Sequence, residues 1–229
     1  MRKNKPSAFT LIELLVVIAI IAVLASFAVP AITSALTKGQ LVGTVNNARQ
    51  FYLAGYQMAL DGNTNADINY NWPGDYNPAV TTLSAYSSRL VTNQYLKTGD
   101  LAKLLSGPGA IVGATSTTDA AGTTTVVLSG TPGLKVYELK DGDSANTIFA
   151  VSANYTYNTP LPTATSPFGD KGFVVIRKGG DCLSLRKNNA LAANYAGGAT
   201  AFQSAVGKLT GDQDGQLGSE AAGLLLAFP

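Results

Sequence analysis

From Phe9 to Val29 the chain reads FTLIELLVVIAIIAVLASFAV, a run long and apolar enough to leave few folds open. As a helix it would extend about 31 Å, the thickness of a bilayer's hydrocarbon core, which predicts a membrane-spanning helix over residues 9–29. A secretory signal peptide would carry a shorter apolar region, roughly 7–15 residues, followed by a small-residue cleavage site. Here the pattern continues past Pro30 into further helix, so a cut after the run would sever an element. Arg2, Lys3 and Lys5 precede it. That positive flank predicts a cytoplasmic N-terminus, with the bulk of the chain on the other side of the membrane.

Glu13 is the odd residue of the run. An acidic side chain at mid-membrane costs about 3 kcal/mol, less near an interface, so it wants a partner. Three readings stand. The carboxylate snorkels to the headgroups or pairs with a basic group of its own chain; it meets a positive charge on a neighbouring subunit; or it relays protons, which a lone carboxylate does not favour.

The segment Ala8-Phe9-Thr10-Leu11-Ile12-Glu13-Leu14-Leu15-Val16-Val17 resembles the cleavage and methylation signature of type IV pilins and type II secretion pseudopilins. The resemblance implies a leader over residues 1–8, cleavage between Ala8 and Phe9 by a prepilin peptidase, and methylation of the new Phe9 amine. Glu13 becomes the fifth residue of the processed chain and Pro30 the twenty-second, where the family characteristically carries Glu and Pro. Ala8 departs from the Gly usual before the cut. The new amine, with an ordinary pKa of about 8, would be mostly positive. Glu13 lies about 6 Å further along the axis, so a neighbour displaced by that rise would bring its amine beside this carboxylate. Phe9 and Glu13 are also i and i+4, so the same contact can form within one chain.

After Pro30, Leu41, Val45, Ala48, Phe51 or Tyr52, Gly55 and Met58 recur at spacings of three and four, which predicts one long helix over 9–61 ending at Asp61-Gly62. Pro30 lacks a donor and crowds the preceding turn, so a kink is expected there. Residues 62–229 form the head. A loop is predicted over 63–79, then a helical stretch over Leu83–Leu105 with Leu83, Tyr86, Leu90, Leu101, Leu104 and Leu105 facing the core. Thr98-Gly99-Asp100 breaks it with a new N-cap, and Gly107-Pro108-Gly109 ends it. Strands are expected at Thr124–Leu128, Leu134–Leu139, Thr147–Ser152, Phe173–Arg177 and Cys182–Arg186, the last two as a hairpin across Lys178-Gly179-Gly180-Asp181. Residues 110–123 read as a mobile loop, and 188–220 give no clear element. The class is α+β: a long N-terminal helix packed against a small antiparallel sheet.

Composition removes much chemistry. The chain has no histidine and a single cysteine, Cys182. Histidine-dependent catalysis, His-ligated zinc and an intramolecular disulfide are excluded, and Cys182 reads as a small buried hydrophobe. Gly207-Lys208-Leu209-Thr210 ends like a phosphate loop, but Phe202 and Leu209 occupy positions that need Gly and Ser or Thr. Asp212-Gln213-Asp214-Gly215 alternates acids before a turn glycine, as a calcium loop does, yet Thr210 and Ala221 would fill ligand positions that need acids. Asp212 and Asp214 are thus candidate calcium ligands beside the plainer reading of an acidic turn; no other cofactor is expected. Arg177-Lys178 and Arg186-Lys187 read as solvated strand ends, with an acidic or DNA contact as the alternative. The 16 basic residues include the three of the leader, leaving 13 against 14 acidic, which disfavours nucleic-acid binding.

These readings converge on a filament subunit without enzymatic activity, sited in the bacterial inner membrane with a periplasmic head. Its partners would be identical and related pilin-like subunits, the prepilin peptidase and the membrane. A type II secretion pseudopilus comes first and an adhesive, motile or DNA-uptake pilus second, because the head lacks the cysteine pair that closes a C-terminal loop in some pili. The rival of another class is a membrane-tethered enzyme or binding domain.

Overall fold

The computed structural model describes residues 10–221 and 224–229. The chain divides into two compact units, Met1–Gly39 and Gln40–Pro229, with one helix, α1 (Leu11–Asn65), belonging to both. In the first unit α1 is long and apolar enough to cross a membrane, and its side chains are exposed along the apolar run. Polar groups there are satisfied locally: the Ser26 hydroxyl donates to the Val23 carbonyl at 2.6 Å, and that of Thr33 to Pro30 at 2.9 Å. Hydrocarbon offers no other partner, which favours this internal bonding. Pro30 lies within α1, and the helix runs on through it.

The second unit is α+β. Its part of α1 buries Leu41, Thr44, Ala48, Phe51, Tyr52, Gly55, Met58, Ala59 and Gly62, the stripe that the spacing of three and four predicts. Beneath it lies an antiparallel sheet in the order β3-β4-β5-β6, with β3 at Leu134–Val136, β4 at Ile148–Ser152, β5 at Phe173–Arg177 and β6 at Cys182–Leu185. Phe51 stacks on Phe149 of β4 with ring centroids 6.0 Å apart, and Tyr52 meets the same ring edge-on at 5.6 Å. Val174 and Ile176 of β5 join that core, while Phe173 and Val175 point to a second one with Tyr155, Tyr157, Phe202, Val206 and Leu209. The sheet is therefore buried on both faces, and β4 and β5 read as continuous apolar runs instead of alternating ones. A bulge between Ile148 and Ala150 further breaks the alternation of β4.

The second layer comes from the region that sequence patterning left unassigned. It holds two short 3-10 turns and α4 (Gly198–Ala205), and its small residues conceal periodicity because Ala and Gly mark no face. Glu220 anchors the segment that follows. Its side chain is 6% exposed, bonded by Lys135 Nζ at 2.5 Å, Tyr137 Oη at 2.9 Å and the Tyr157 N–H at 2.9 Å. The three donors replace the water that burial takes from the carboxylate. Leu226 N then donates to Val136 O at 2.9 Å and Glu138 N to Leu224 O at 2.8 Å, so the C-terminal segment closes the outer edge of β3.

A second, two-stranded sheet pairs β1 (Val112–Thr118) with β2 (Thr124–Gly130). Residues 110–123, expected as a mobile loop, are thus half strand. Thr, Ser, Gly and Ala there lack the bulky signal by which strands are recognised, but pairing needs only backbone. The hairpin packs on α2 (Leu83–Thr92) and α3 (Thr98–Leu105), and all six predicted core residues of this helical stretch are buried. Its break lies earlier than expected, at residues 93–97. Thr98 is not the cap: it is the first residue of α3, and its hydroxyl bonds Ser116 Oγ at 2.9 Å. The expected strands at 134–139, 147–152 and 182–186 are each shorter as observed, whereas Phe173–Arg177 and the hairpin that follows it agree.

The end of α1 also needs correction. Helix continues to Asn65 instead of stopping at Asp61-Gly62, and Ala66 takes the left-handed position with φ 52°. The Asp67 N–H reaches back to Gly62 O at 3.1 Å, the six-to-one bond of a Schellman cap. Gly62 serves a different purpose, since a Cβ there would lie 1.6 Å from the Tyr70 carbonyl oxygen. The two positions therefore predict opposite effects. Ala66→Gly relieves left-handed strain and should stabilise the head by about 1 kcal/mol in thermal unfolding. Gly62→Ala forces backbone apart and should destabilise by about 1–3 kcal/mol.

Tyr52 gives a pH prediction. Its hydroxyl donates to the Lys178 carbonyl at 2.5 Å, and burial, with smaller effects from Tyr56, Cys182 and Asp181, pushes its pKa up to about 12. The folded chain holds this proton more tightly than the unfolded one, whose tyrosine titrates near 10. Its contribution is therefore full below about pH 10 and is lost as pH rises toward 12. Tyr52→Phe should lower stability by about 1 kcal/mol at pH 7 and make the alkaline fall shallower, read by denaturant melts between pH 7 and 11.

Candidate functional site

The N-terminus of α1 is built from Thr10-Leu11-Ile12-Glu13. Thr10 precedes the first helical turn, and its Oγ1 accepts from the Glu13 N–H at 3.3 Å. Glu13 Oε2 returns the bond, accepting from the Thr10 N–H at 2.9 Å and from Thr10 Oγ1 at 2.8 Å. This is a capping box, in which two unpaired donors of a helix start are satisfied reciprocally. Its negative charge also lies at the positive end of the helix. Patterning had singled out Glu13 as a charge in want of a partner and passed over Thr10. The spacing of Thr three residues before Glu was the signal that would have found it.

Glu13 thus bonds within its own chain, to a threonine and not to a basic group. Ala8 and Phe9, the expected cleavage and methylation positions, lie outside the described residues. Pro30 stands seventeen positions beyond Glu13, inside α1.

Comparison with known families falls on this same stretch. Residues 3–29 match the prokaryotic N-terminal methylation motif. That motif is the signature of type IV pilins and pseudopilins, and it supports a pilin-like structural subunit anchored in a membrane by α1. It covers most of the expected leader, Glu13 and the apolar run, and it ends one residue before Pro30. Searches of curated proteins and of solved structures returned no match to the chain.

The other sequence candidates lie in the head. Asp212 Oδ2 accepts from the Leu209 N–H at 3.3 Å and the Gly218 N–H at 3.1 Å, closing a turn. Asp214 points away and pairs with Lys208 at 2.8 Å. The two carboxylates are engaged separately, and no group of three metal-binding side chains occurs among the described residues. Three of the four side chains of the basic pairs are also engaged internally. Arg177 bonds Asp181 at 3.0 Å and the Ser204 carbonyl at 2.8 Å, Lys178 donates to the carbonyls of Asp141 and Asp143, and Lys187 pairs with Asp170 at 2.8 Å. This is the behaviour of strand ends. The hydrogen bond from Lys187 holds the Asp170 carboxyl below its ordinary value, with Lys171 adding to it. Cys182 is half-buried, and burial pushes its thiol up, away from the reactive thiolate.

A groove beside α2 is lined by Asp67, Tyr70, Ser88, Arg89, Thr92 and Thr125 among others. Its hydroxyls already serve backbone: Ser88 Oγ donates to Ser84 O at 2.8 Å and accepts from Val126 N at 2.8 Å, while Thr92 Oγ1 bonds both N and O of Thr124. Arg89 lies over the Tyr76 ring, 5.2 Å from its centroid. The groove therefore pairs no nucleophile with a base among the described residues.

Asp212→Ala leaves two backbone N–H groups without an acceptor and should destabilise by about 1–2 kcal/mol, equally in millimolar calcium and in chelator. Asp214→Ala should change little in either. A melting temperature raised by calcium, with the rise lost in either variant, would instead make the turn a cation site.

Proposed function

We propose that this chain is a structural subunit of a pilus-type filament, a type II secretion pseudopilus first and an adhesive, motile or DNA-uptake pilus second. The observation that carries the reading is the common register of the Ala8–Phe9 junction and Glu13 within one matched motif, with Pro30 one residue beyond it, on a helix long enough to cross a membrane. The chain enters the inner membrane through residues 9–29, with its head on the periplasmic side. A prepilin peptidase cuts before Phe9 and methylates the new amine. Subunits then leave the bilayer sideways into a filament held by packed copies of α1.

Glu13 acts by exchanging partners. In the single chain its carboxylate is hydrogen-bonded by Thr10 at the positive end of α1, which lowers the cost of holding the charge in lipid. In the filament it accepts the Phe9 amine of a neighbour, and the charge pair fixes the axial step between subunits. The absence of a cysteine pair favours the pseudopilus over pili that close a C-terminal loop by disulfide. A tethered enzyme or binding domain is the rival reading, and the matched motif favours the structural subunit over it.

Mass spectrometry of the mature N-terminus from native membranes tests the processing, and three variants test the assembly. The expected start is methylated Phe9. Glu13→Val should be processed yet excluded from filaments. Glu13→Gln keeps a capping side chain but loses the charge, and it should be excluded too. Thr10→Ala keeps the charge and should be incorporated, with the helix start weakened by about 1 kcal/mol. A Met1 start, or normal assembly of Glu13→Val, would reduce α1 to an anchor. Deletion of the gene then separates the filament classes: retained periplasmic cargo marks a pseudopilus, and lost surface fibres mark a pilus.

A further inference from the structure

The edges of the two sheets are treated unequally. The outer edge of β2 is held by α2 hydroxyls, with Leu128 N donating to Ser84 Oγ, Val126 N to Ser88 Oγ and Thr124 N to Thr92 Oγ1. That of β3 is closed by the C-terminal segment. β6 is only four residues long and is bracketed by Asp181, Arg186 and Lys187, a short charged edge of the kind that resists pairing.

β1 has no such protection. Because the even-numbered residues of β2 turn to α2, its odd-numbered residues carry the ladder to β1. Asp119 N to Thr123 O at 3.0 Å and Thr131 N to Ile111 O at 2.9 Å extend the same register at both ends. Gly113, Thr115 and Thr117 therefore face β2, and Val112, Ala114, Ser116 and Thr118 turn their backbone groups outward. Ser106 Oγ takes the Val112 N–H at 2.9 Å. The outward N–H and C=O groups of Ala114, Ser116 and Thr118 find no partner among the described residues. Thr115 to Thr118 are exposed, β1 contains no Pro, charge or bulge, and Asp119 is the single charged residue between Lys103 and Lys135.

We infer that β1 pairs antiparallel with β1 of a second copy of this chain, about a two-fold axis at Ser116. The edge suits its own copy. Ser116 meets its equivalent, and Ala114 meets Thr118 of the partner subunit, each pair exchanging both backbone bonds. The two Asp119 side chains then lie six residues apart along the ladder, about 20 Å, beyond the reach of screened repulsion. The apolar span of α1 also confines copies to one membrane, which raises their effective concentration. The inference rests on that span and not on the filament reading, since copies of α1 can pack with these edges apart.

The test uses the full chain in lipid vesicles on a Cys182→Ser background, with Thr115→Cys and Thr117→Cys reconstituted separately and together. In the inferred register Thr115 lies opposite Thr117 of the partner subunit, about 4.5 Å between Cα atoms and within disulfide reach. Two copies of Thr115 are about 7–8 Å apart on the diagonal, beyond it. Mild oxidation should cross-link the mixed sample and neither single one. Ser116→Pro removes an N–H that serves no bond within the chain, and it should cut the cross-linked fraction about tenfold. Ser116→Lys should do the same by like-charge opposition and be restored by mixing with Ser116→Glu, which keeps the test decisive if the proline disturbs the hairpin. Equal cross-linking in all three samples, no cross-linking in the mixed one, capture of a different chain, or indifference to both Ser116 changes would overturn the inference.

Discussion

The aromatic contact between α1 and β4 is the interaction on which the head depends. Phe51 and Tyr52 meet one ring, Phe149, and Trp72 packs on both that ring and Tyr52. Phe149 lies on an inner strand of the sheet, so whatever seats it seats β3 and β5 as well. The same strand turns Ile148 and Val151 to the opposite core. One helix face thereby organises two layers of packing, and burying a ring such as Phe51 contributes about 3 kcal/mol toward it.

Two carboxylates, one in each unit, show how polar groups are settled here. In the apolar run Thr10, Glu13 and Ser26 all bond to their own chain within three residues. In the head a buried carboxylate side chain, Glu220, gathers three donors, from β3, the residue after it and the segment after β4. Both solutions follow from the cost of leaving a polar group unpaired where water is excluded. They differ in kind: the Glu220 cluster is tied into the core from several directions, while Glu13 is held by one neighbouring residue and can be released by a single rotation.

Much of the fold was legible in the sequence where side chains are large. The membrane run, the stripe from Leu41 to Met58, the core leucines of α2 and α3 and the hairpin of β5 and β6 all announce themselves through size and spacing. The rest failed for identifiable reasons. Beyond Val112, β1 is written in Thr, Ser, Gly and Ala, and its order comes from backbone pairing and the hydroxyls of neighbours. The layer around α4 is rich in Ala and Gly, which carry no facial signal. Gly62 looked like a cap because glycine tolerates positive φ, but close approach of Tyr70 is what requires it, and Ala66 takes the strained position. At the candidate site the charge of Glu13 was plain, whereas its bond to Thr10 depended on a spacing read only in relation to the helix start.

The bonding of β2 to α2 sets a limit of its own. Four residues of helix advance about 6.0 Å and two residues of strand about 6.8 Å, so hydroxyls at Ser84, Ser88 and Thr92 keep step with Leu128, Val126 and Thr124 only approximately. The three rungs measure 3.3, 2.8 and 2.9 Å, which shows the mismatch still absorbed. A fourth rung would bring the accumulated offset to about 2.4 Å, more than a hydrogen bond tolerates. Helix and strand here behave as two rulers with unequal divisions, read against each other over a single coincidence. The hairpin can lengthen at its tip, but the shared seam cannot grow with it.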